Sequence, residues 1–192
     1  MIAYQDEKVI LRDMIPEDCE DYIRWNTVET DWKEWDAPWK RKDPFDEAAY
    51  RERMKGWLQA VPAGDARRDG FEVCLANGRH VGWVSSYSID EDCSITNGAG
   101  KTAVGIDICE PDARGGTGSR ALAAFIRYLL GQGEEEIFTQ TWSGNLRMIR
   151  AAEKLGFAEY RRKLGVCQVQ GGTYDGLTFR LDQEKFEEFW NA

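Results

Sequence analysis

Residues 106–122 read IDICEPDARGGTGSRAL, and the change of character along them decides the fold. The run Thr102–Cys109 (TAVGIDIC) has the apolar pattern of a buried strand. Arg114-Gly115-Gly116-Thr117-Gly118-Ser119 follows, and Gly118–Leu130 (GSRALAAFIRYLL) reads as a helix. A strand that passes through glycines into a helix can take a bulky anion. Glycine lets the backbone come close, and the first helical turn offers free N–H groups at the positive end of the helix dipole. Arg114 and Arg120 could add charge. An ordinary βα turn would carry the same glycines, so the loop alone leaves phosphate binding open. No lysine is present to make a Walker loop. Residues 116–121 fit G-x-G-x-x-G/A, but residues 110–115 separate them from the strand that a dinucleotide fingerprint should follow directly.

Downstream, Glu136–Trp142 (EIFTQTW) reads as a strand and Asn145–Leu155 as a helix, stopped by Gly156. Asn145 stands where its side chain can cap that helix or reach a ligand. Two more strands, near 157–164 and 173–181, precede a short helix ending at Trp190. Upstream, Lys8–Met14 opens as a strand, Pro16-Glu17-Asp18 starts a helix, and Asp43-Pro44 opens another that runs to about Leu58. Phe71–Leu75 and His80–Ile89 form a hairpin about Asn77-Gly78, and a loose stretch covers residues 90–100. The order β-α-α-β-β-β-α-β-α-β-β makes an α/β chain with a mixed sheet and helices on its faces.

Taken together, residues 104–130 and the segment Asn145…Ala152-Glu153-Lys154-Leu155-Gly156-Phe157 resemble the two signature motifs of the GNAT acetyltransferases. The opening VILRDMIPED and Gly172-Thr173-Tyr174-Asp175-Gly176-Leu177 are similar to the branch that contains ribosomal-protein alanine acetyltransferases, of the RimJ and RimL type. The resemblance covers nearly the whole chain. It implies one N-acetyltransferase domain over residues 1–192, with a mixed, mostly antiparallel sheet and helices on both faces. It implies acetyl-CoA as cosubstrate and no metal. Arg114, Gly115, Gly116, Thr117, Gly118 and Ser119 would hold the pyrophosphate. Ile108 and Cys109 would bond the pantetheine arm, where a backbone N–H would polarise the thioester carbonyl. Asn145 would touch CoA through its amide. The acceptor amine would attack the acetyl carbon directly.

The chain departs from the family where many members place a tyrosine that protonates the leaving thiolate: Ala152 stands there. Water, or Ser143 just ahead of Asn145, could give that proton instead. Asp107 and Glu110, at the end of the central strand, are candidate bases, though either could be an ordinary edge acid. The segment Glu29–Trp39 interleaves Trp32, Trp35 and Trp39 with Glu29, Asp31, Glu34 and Asp36. The resemblance implies that the first two helices and their connection wall the acceptor site, and indole faces and carboxylates both attract cations, so Trp32, Trp35 and Asp36, with Trp83, are the expected acceptor wall; packing of the helices would use the same indoles.

Composition sets the outer limits. The 192 residues suit one domain, since single cores commonly run to about 100–200 residues. The net charge of −9 argues weakly against nucleic acid and would attract a cationic partner such as a polyamine or a basic peptide, though solubility alone accounts for it too; the branch resemblance implies a peptide or protein N-terminus as acceptor, with a small polyamine as the competitor. Five cysteines without a CxxC pair fit reduced thiols, and the only histidine, His80, excludes His-rich metal sites. No run of about 18 apolar residues could span a bilayer, and no signal peptide is visible, so a cytoplasmic protein is expected. The C-terminal strands could pair in a homodimer. A non-catalytic acyl-CoA-binding regulator of the same fold is the alternative that Ala152 favours.

Overall fold

A computed structural model describes residues 1–39, 44–60, 64, 66–113 and 115–191. Among these residues nine strands form one sheet: β1 (Ile2–Gln5), β2 (Val9–Arg12), β3 (Gly70–Leu75), β4 (His80–Ile89), β5 (Ile95–Thr96), β6 (Lys101–Ile108), β7 (Ile137–Trp142), β8 (Phe157–Val169) and β9 (Gly172–Leu181). Five helices join them: α1 (Asp18–Thr27), α2 (Glu47–Ala60), α3 (Thr117–Gly131), α4 (Leu146–Lys154) and α5 (Gln183–Trp190), with a 3-10 turn at Asp31–Glu34. The strands lie in the order β1-β2-β3-β4-β6-β7-β9-β8, and β5 pairs with β4. Of the neighbouring pairs only β6 and β7 run parallel. The expected mixed, mostly antiparallel sheet with helices on both faces is what the chain forms.

Antiparallel partners share a face of the sheet. Glu72, Trp83 and Asp107 therefore stand in one row across β3, β4 and β6, and Gly70, Ser85 and Gly105 in the next. This face is covered by α1 and α2, whose Tyr22, Ile23, Trp25, Tyr50 and Met54 pack in one cluster with Trp83 and Cys109. The opposite face receives α3, where Leu122, Phe125, Ile126 and Leu129 are fully buried against Val84 and Val104. Each such side chain contributes about 1.5–3 kcal/mol on leaving water, so α3 is the helix held hardest to the sheet. Its N-terminus is thereby fixed at the end of β6.

Several boundaries differ from the sequence reading. The first strand is two: β1 is a short edge strand without an alternating pattern, closed onto β2 by Asp6, whose Oδ1 accepts the Lys8 and Val9 N–H groups at 2.8 Å each. The second helix begins at Glu47 rather than at Asp43-Pro44, because Asp46 supplies the cap, accepting the Ala49 N–H at 3.0 Å; Asp43 is outside the described residues. The loose stretch after β4 contains β5. Strand β8 runs on past residue 164 to Val169, its alternation broken by an irregularity between Lys163 and Cys167. No described helix is long and apolar enough to cross a membrane.

Candidate active site

Strands β6 and β7 pair at only three positions: Thr102 with Ile137, Ala103 with Phe138 and Val104 with Thr139. Beyond them each strand stays with its other neighbour. β6 follows β4 to Ile108, opposite Gly82, and β7 follows β9 to Trp142, opposite Gly176. The sheet opens here into a wedge. Backbone groups along a strand point alternately to either side. Val104 points its carbonyl toward β7, where it accepts the Thr139 hydroxyl at 2.8 Å. By the same alternation Ile106 and Ile108 turn their N–H and C=O groups into the wedge. Cys109 faces the other way, donating its N–H to the Val81 carbonyl at 2.9 Å. Of the two residues expected to bond a pantetheine arm, Ile108 is so oriented; the Cys109 N–H is spent on β4.

The glycine loop closes the wide end of the wedge. Gly115 and Gly116 have φ of 92° and 94°, which residues with a Cβ rarely adopt. Gly116 is the residue before α3, and the first bond of the helix runs from the Arg120 N–H to the Gly116 carbonyl at 3.0 Å. The N–H groups of Thr117, Gly118 and Ser119 precede that bond, and the first turn carries no acidic side chain. Arg114 is outside the described residues. Arg120 is drawn off the loop: its Nε donates to Asp6 and an Nη to the Tyr4 hydroxyl, both at 2.6 Å, and its guanidinium lies 4.8 Å from the Trp190 ring centre. It tethers α3 to β1.

Residues 29–39 form a strap across the sheet face under α1. Trp32 donates its indole N–H to the Trp25 carbonyl at 2.9 Å and stands edge-on to Trp83. The Trp35 carbonyl accepts both the Trp142 indole N–H at 3.1 Å and the Asn145 amide at 3.2 Å, while its ring lies 4.2 Å from the Arg147 guanidinium. Trp39 meets Trp142 edge-on. The strap thus runs from α1 to β7 and α4, over the wedge. Ala37, at φ 44°, turns the chain after Asp36. Burial first, then the charge of Asp36, raises the Tyr87 pKa far above the usual range, and burial, then Asp107, Glu110 and Asp36, does the same to Cys109. Asp31 and Glu34 are exposed.

The acetyltransferase (GNAT) domain model matches residues 8–158. The chain belongs to the GNAT acetyltransferase family. It is an N-acetyltransferase that uses acetyl-CoA. No curated protein matches the sequence. Among solved structures, a GNAT-family acetyltransferase from Bacillus anthracis shares 16% identity, with a TM-score of 0.69 over 96% of this chain and 99% of that one. The ribosomal-protein-S5-alanine acetyltransferase from Vibrio fischeri shares 16%, with a TM-score of 0.68 over 92% and 94%. RimL, a ribosomal L7/L12 alpha-N-protein acetyltransferase solved in complex with coenzyme A, shares 14%, with a TM-score of 0.69 over 94% and 97%. At these identities the likeness is one of fold.

Several candidate groups in this acetyltransferase carry structural duties. Glu110 is buried; its Oε1 accepts the Trp25 indole N–H at 2.8 Å and pairs with Arg24 at 2.7 Å, anchoring α1 to the end of β6. Ser143 locks the β7–α4 turn to β9: it exchanges two bonds with the Asp175 backbone, its N–H donating at 2.9 Å and its Oγ accepting at 3.0 Å. Asn145 caps α4 through Oδ1, which accepts the Met148 N–H at 3.0 Å, while its amide holds the strap. Ala152 is fully buried in the core.

The sequence reading passed over a polar network beneath α1. His80 lies between Glu72, 2.8 Å from its Nε2, and Asp21 and Asp18, 3.1 and 3.3 Å from its Nδ1. Arg12 pairs with Asp18 at 2.6 Å, and the Tyr22 hydroxyl donates to Glu72 at 3.0 Å. Burial by itself would lower the His80 pKa, but the carboxylates outweigh it and raise it; burial raises that of Glu72. Above the network, between α1, α2 and β3–β4, is a cavity of about 690 Å³, lined by Tyr22, Trp32, Tyr50, Trp57, Glu72 and Trp83 among others. Trp32 and Trp83 are therefore cavity walls, whereas Trp35 is the hinge of the strap and Asp36 hangs by the wedge.

Proposed function

We propose that the enzyme transfers acetyl from acetyl-CoA to a cationic primary amine, by direct attack of the amine on the thioester. The wedge supports the donor half. Ile106 and Ile108 offer it unmatched backbone groups, and the glycine loop offers the Thr117, Gly118 and Ser119 N–H groups to a pyrophosphate. These residues fit coenzyme A, whose amide-bearing arm can pair as a strand would and whose diphosphate suits a helix N-terminus. A backbone N–H of β6 would then stabilise the oxyanion of the tetrahedral intermediate.

The convergence of Asp36 and Asp107 carries the acceptor half. Both act on Cys109, on the α1–α2 side of the wedge, as Glu110 and Glu72 also do, so a bound amine there feels the negative potential of several carboxylates. Such a site draws in an ammonium but also holds its proton, so a base must remove it before attack. Asp107, at the wedge and in the same row as Trp83, is that base; Asp36 orients the cation. The body of the acceptor lies against Trp32 and Trp83. Peptide N-termini and small polyamines both meet this description.

Calorimetry with acetyl-CoA, followed by thiol release against a panel of peptides, polyamines and neutral amines, tests the proposal. Acetyl-CoA binding with turnover of cationic amines is expected. Turnover of neutral amines alone would overturn the acceptor assignment, and binding without turnover of any amine would overturn the catalytic one.

A further inference from the structure

The cavity under α1 and α2 holds one charge that its own walls do not answer. Among the described residues its lining carries three carboxylates and two guanidiniums. Asp13 is paired with Arg68 at 3.1 Å, and Asp69 lies 3.8 Å from Arg67. Glu72 has no such partner on the lining. Among the described residues the one cationic group in contact with it is His80, 2.8 Å from Oε2 and outside the lining. His80 is itself divided among Glu72, Asp18 and Asp21. The second oxygen, Oε1, takes only the long branch of the Tyr22 hydroxyl, at 3.3 Å. Burial raises the Glu72 pKa in spite of His80, as befits a carboxylate short of positive charge.

Rings crowd around this carboxylate. The Tyr22 ring lies 5.0 Å from Trp83 and 6.0 Å from Tyr50, and Trp32 stands edge-on to Trp83 at 5.3 Å. All four line the cavity together with Glu72. A carboxylate set among aromatic faces suits an ammonium group: the rings attract its charge and the oxygen takes its N–H. A neutral apolar body would meet the rings but leave the buried carboxylate with nothing gained.

The sheet relates this carboxylate to the wedge. Glu72 is opposite Trp83, and Trp83 is opposite Asp107. The three side chains leave the same face. Two strand spacings, about 9–10 Å, separate the two acids, with Trp83 between them. An acceptor that brings one nitrogen to Asp107 and lies along Trp83 places its far end over Glu72.

We infer that the acceptor is a dication, whose second cationic group lies about 9–10 Å from the reacting amine and is held by Glu72 among the rings of Tyr22, Tyr50 and Trp83. The inference rests on the acceptor half of the transfer proposed above and narrows it. A free diamine and a peptide with lysine after its N-terminal residue share this chemistry. Glu72 touches no reacting atom; it selects which amine is presented.

The test compares diaminoheptane, whose extended nitrogens have about this spacing, with heptylamine, which matches its chain but carries one charge. Without acetyl-CoA, calorimetry should find the diamine bound at least about tenfold more tightly, as for a charge-assisted contact. With acetyl-CoA present, kcat/KM should show the same preference, and diaminopropane, too short for the row, should not share it. Glu72→Gln keeps an oxygen for Tyr22 and His80 but loses the charge. In it the ratio of diamine to monoamine affinity should fall below about twofold, whereas damage to the fold would weaken both amines and leave the ratio as it was. Short peptides with lysine or leucine in second place separate the sources: a preference for the lysine peptide without diamine turnover assigns a peptide, and the reverse assigns a free diamine. Heptylamine bound as tightly as diaminoheptane by the wild type, or a ratio unchanged in Glu72→Gln, would overturn the inference. Tighter diamine binding without acetylation of any amine would uphold the Glu72 pocket and overturn the acetyl transfer beneath it.

Discussion

A Cβ on Gly82 would lie 1.9 Å from the carbonyl oxygen of Asp107. Both are backbone neighbours, so no rotamer change relieves the contact. The approach lets Cys109 and Glu110 direct their N–H groups at the Val81 carbonyl, 2.9 and 3.4 Å away, and holds the end of β6 on the β4 side of the wedge. Gly82→Ala should force the strands apart, cost about 2–4 kcal/mol of stability and weaken acetyl-CoA binding. Denaturant melts and calorimetry read both, and wild-type values in each would show that the approach is dispensable.

The two duties of Asn145 can be separated. Asn145→Ala loses the helix cap, at about 1 kcal/mol, and releases the Trp35 carbonyl. Asn145→Ser keeps a capping oxygen but cannot donate to Trp35. If the amide holds the strap in place, both variants raise the amine KM, while the serine variant melts close to wild type. A serine variant with an unchanged amine KM would show that Trp142 alone suffices for the strap.

Of the acids in the strap, Asp36 is the one whose charge bears on Cys109, at the end of β6. Asp36→Asn is expected to raise the amine KM about tenfold, as for a lost charge-assisted contact, with acetyl-CoA affinity unchanged. Asp107→Asn should lower kcat instead and flatten the acidic limb of the pH–rate profile. Asp31→Asn and Glu34→Gln, on exposed side chains, serve as controls. Equal effects from all four would point to general surface potential.

The buried network makes stability depend on pH in a definite sense. His80 has a raised pKa in the fold, so its stabilisation is complete below its ordinary value and is lost as pH rises through the raised one. Glu72, also raised, resists ionisation, which costs stability in the same direction. Wild-type stability should therefore decline as pH rises from the ordinary histidine value of about 6.5 into the alkaline range. His80→Gln should flatten that decline from a lower start, because breaking a buried pair costs about 3–5 kcal/mol. A flat wild-type profile over this interval would mean that His80 carries no proton there.

Much of the fold was legible because the patterns are local. The α3 helix, the Asn77-Gly78 hairpin and the run TAVGIDIC announce themselves in short windows. The family's two motifs placed Ile108 and the glycines at the wedge for the same reason. What escaped reading depends on register and long-range pairing. Nothing near Tyr87 shows that its ring lies over Gly105 of the neighbouring strand. Glu110 and Ser143 sit where catalytic groups belong, yet Trp25, 85 residues earlier, and Asp175, 32 residues later, claim them. β1 lacked any alternation, and its edge position is visible only once Arg120 is seen to pair with Asp6.

The wedge is made by where two strands stop pairing, and the grip proposed for it uses main-chain amides, which every residue except proline supplies. Side chains along it can therefore drift freely without loosening the hold on the donor. That freedom accounts for a shared architecture persisting at 14–16% identity. It also leaves the strap and the cavity beneath α2, where the proposed acceptor would meet side chains, as the part of the molecule through which a lineage can change its substrate while keeping its chemistry.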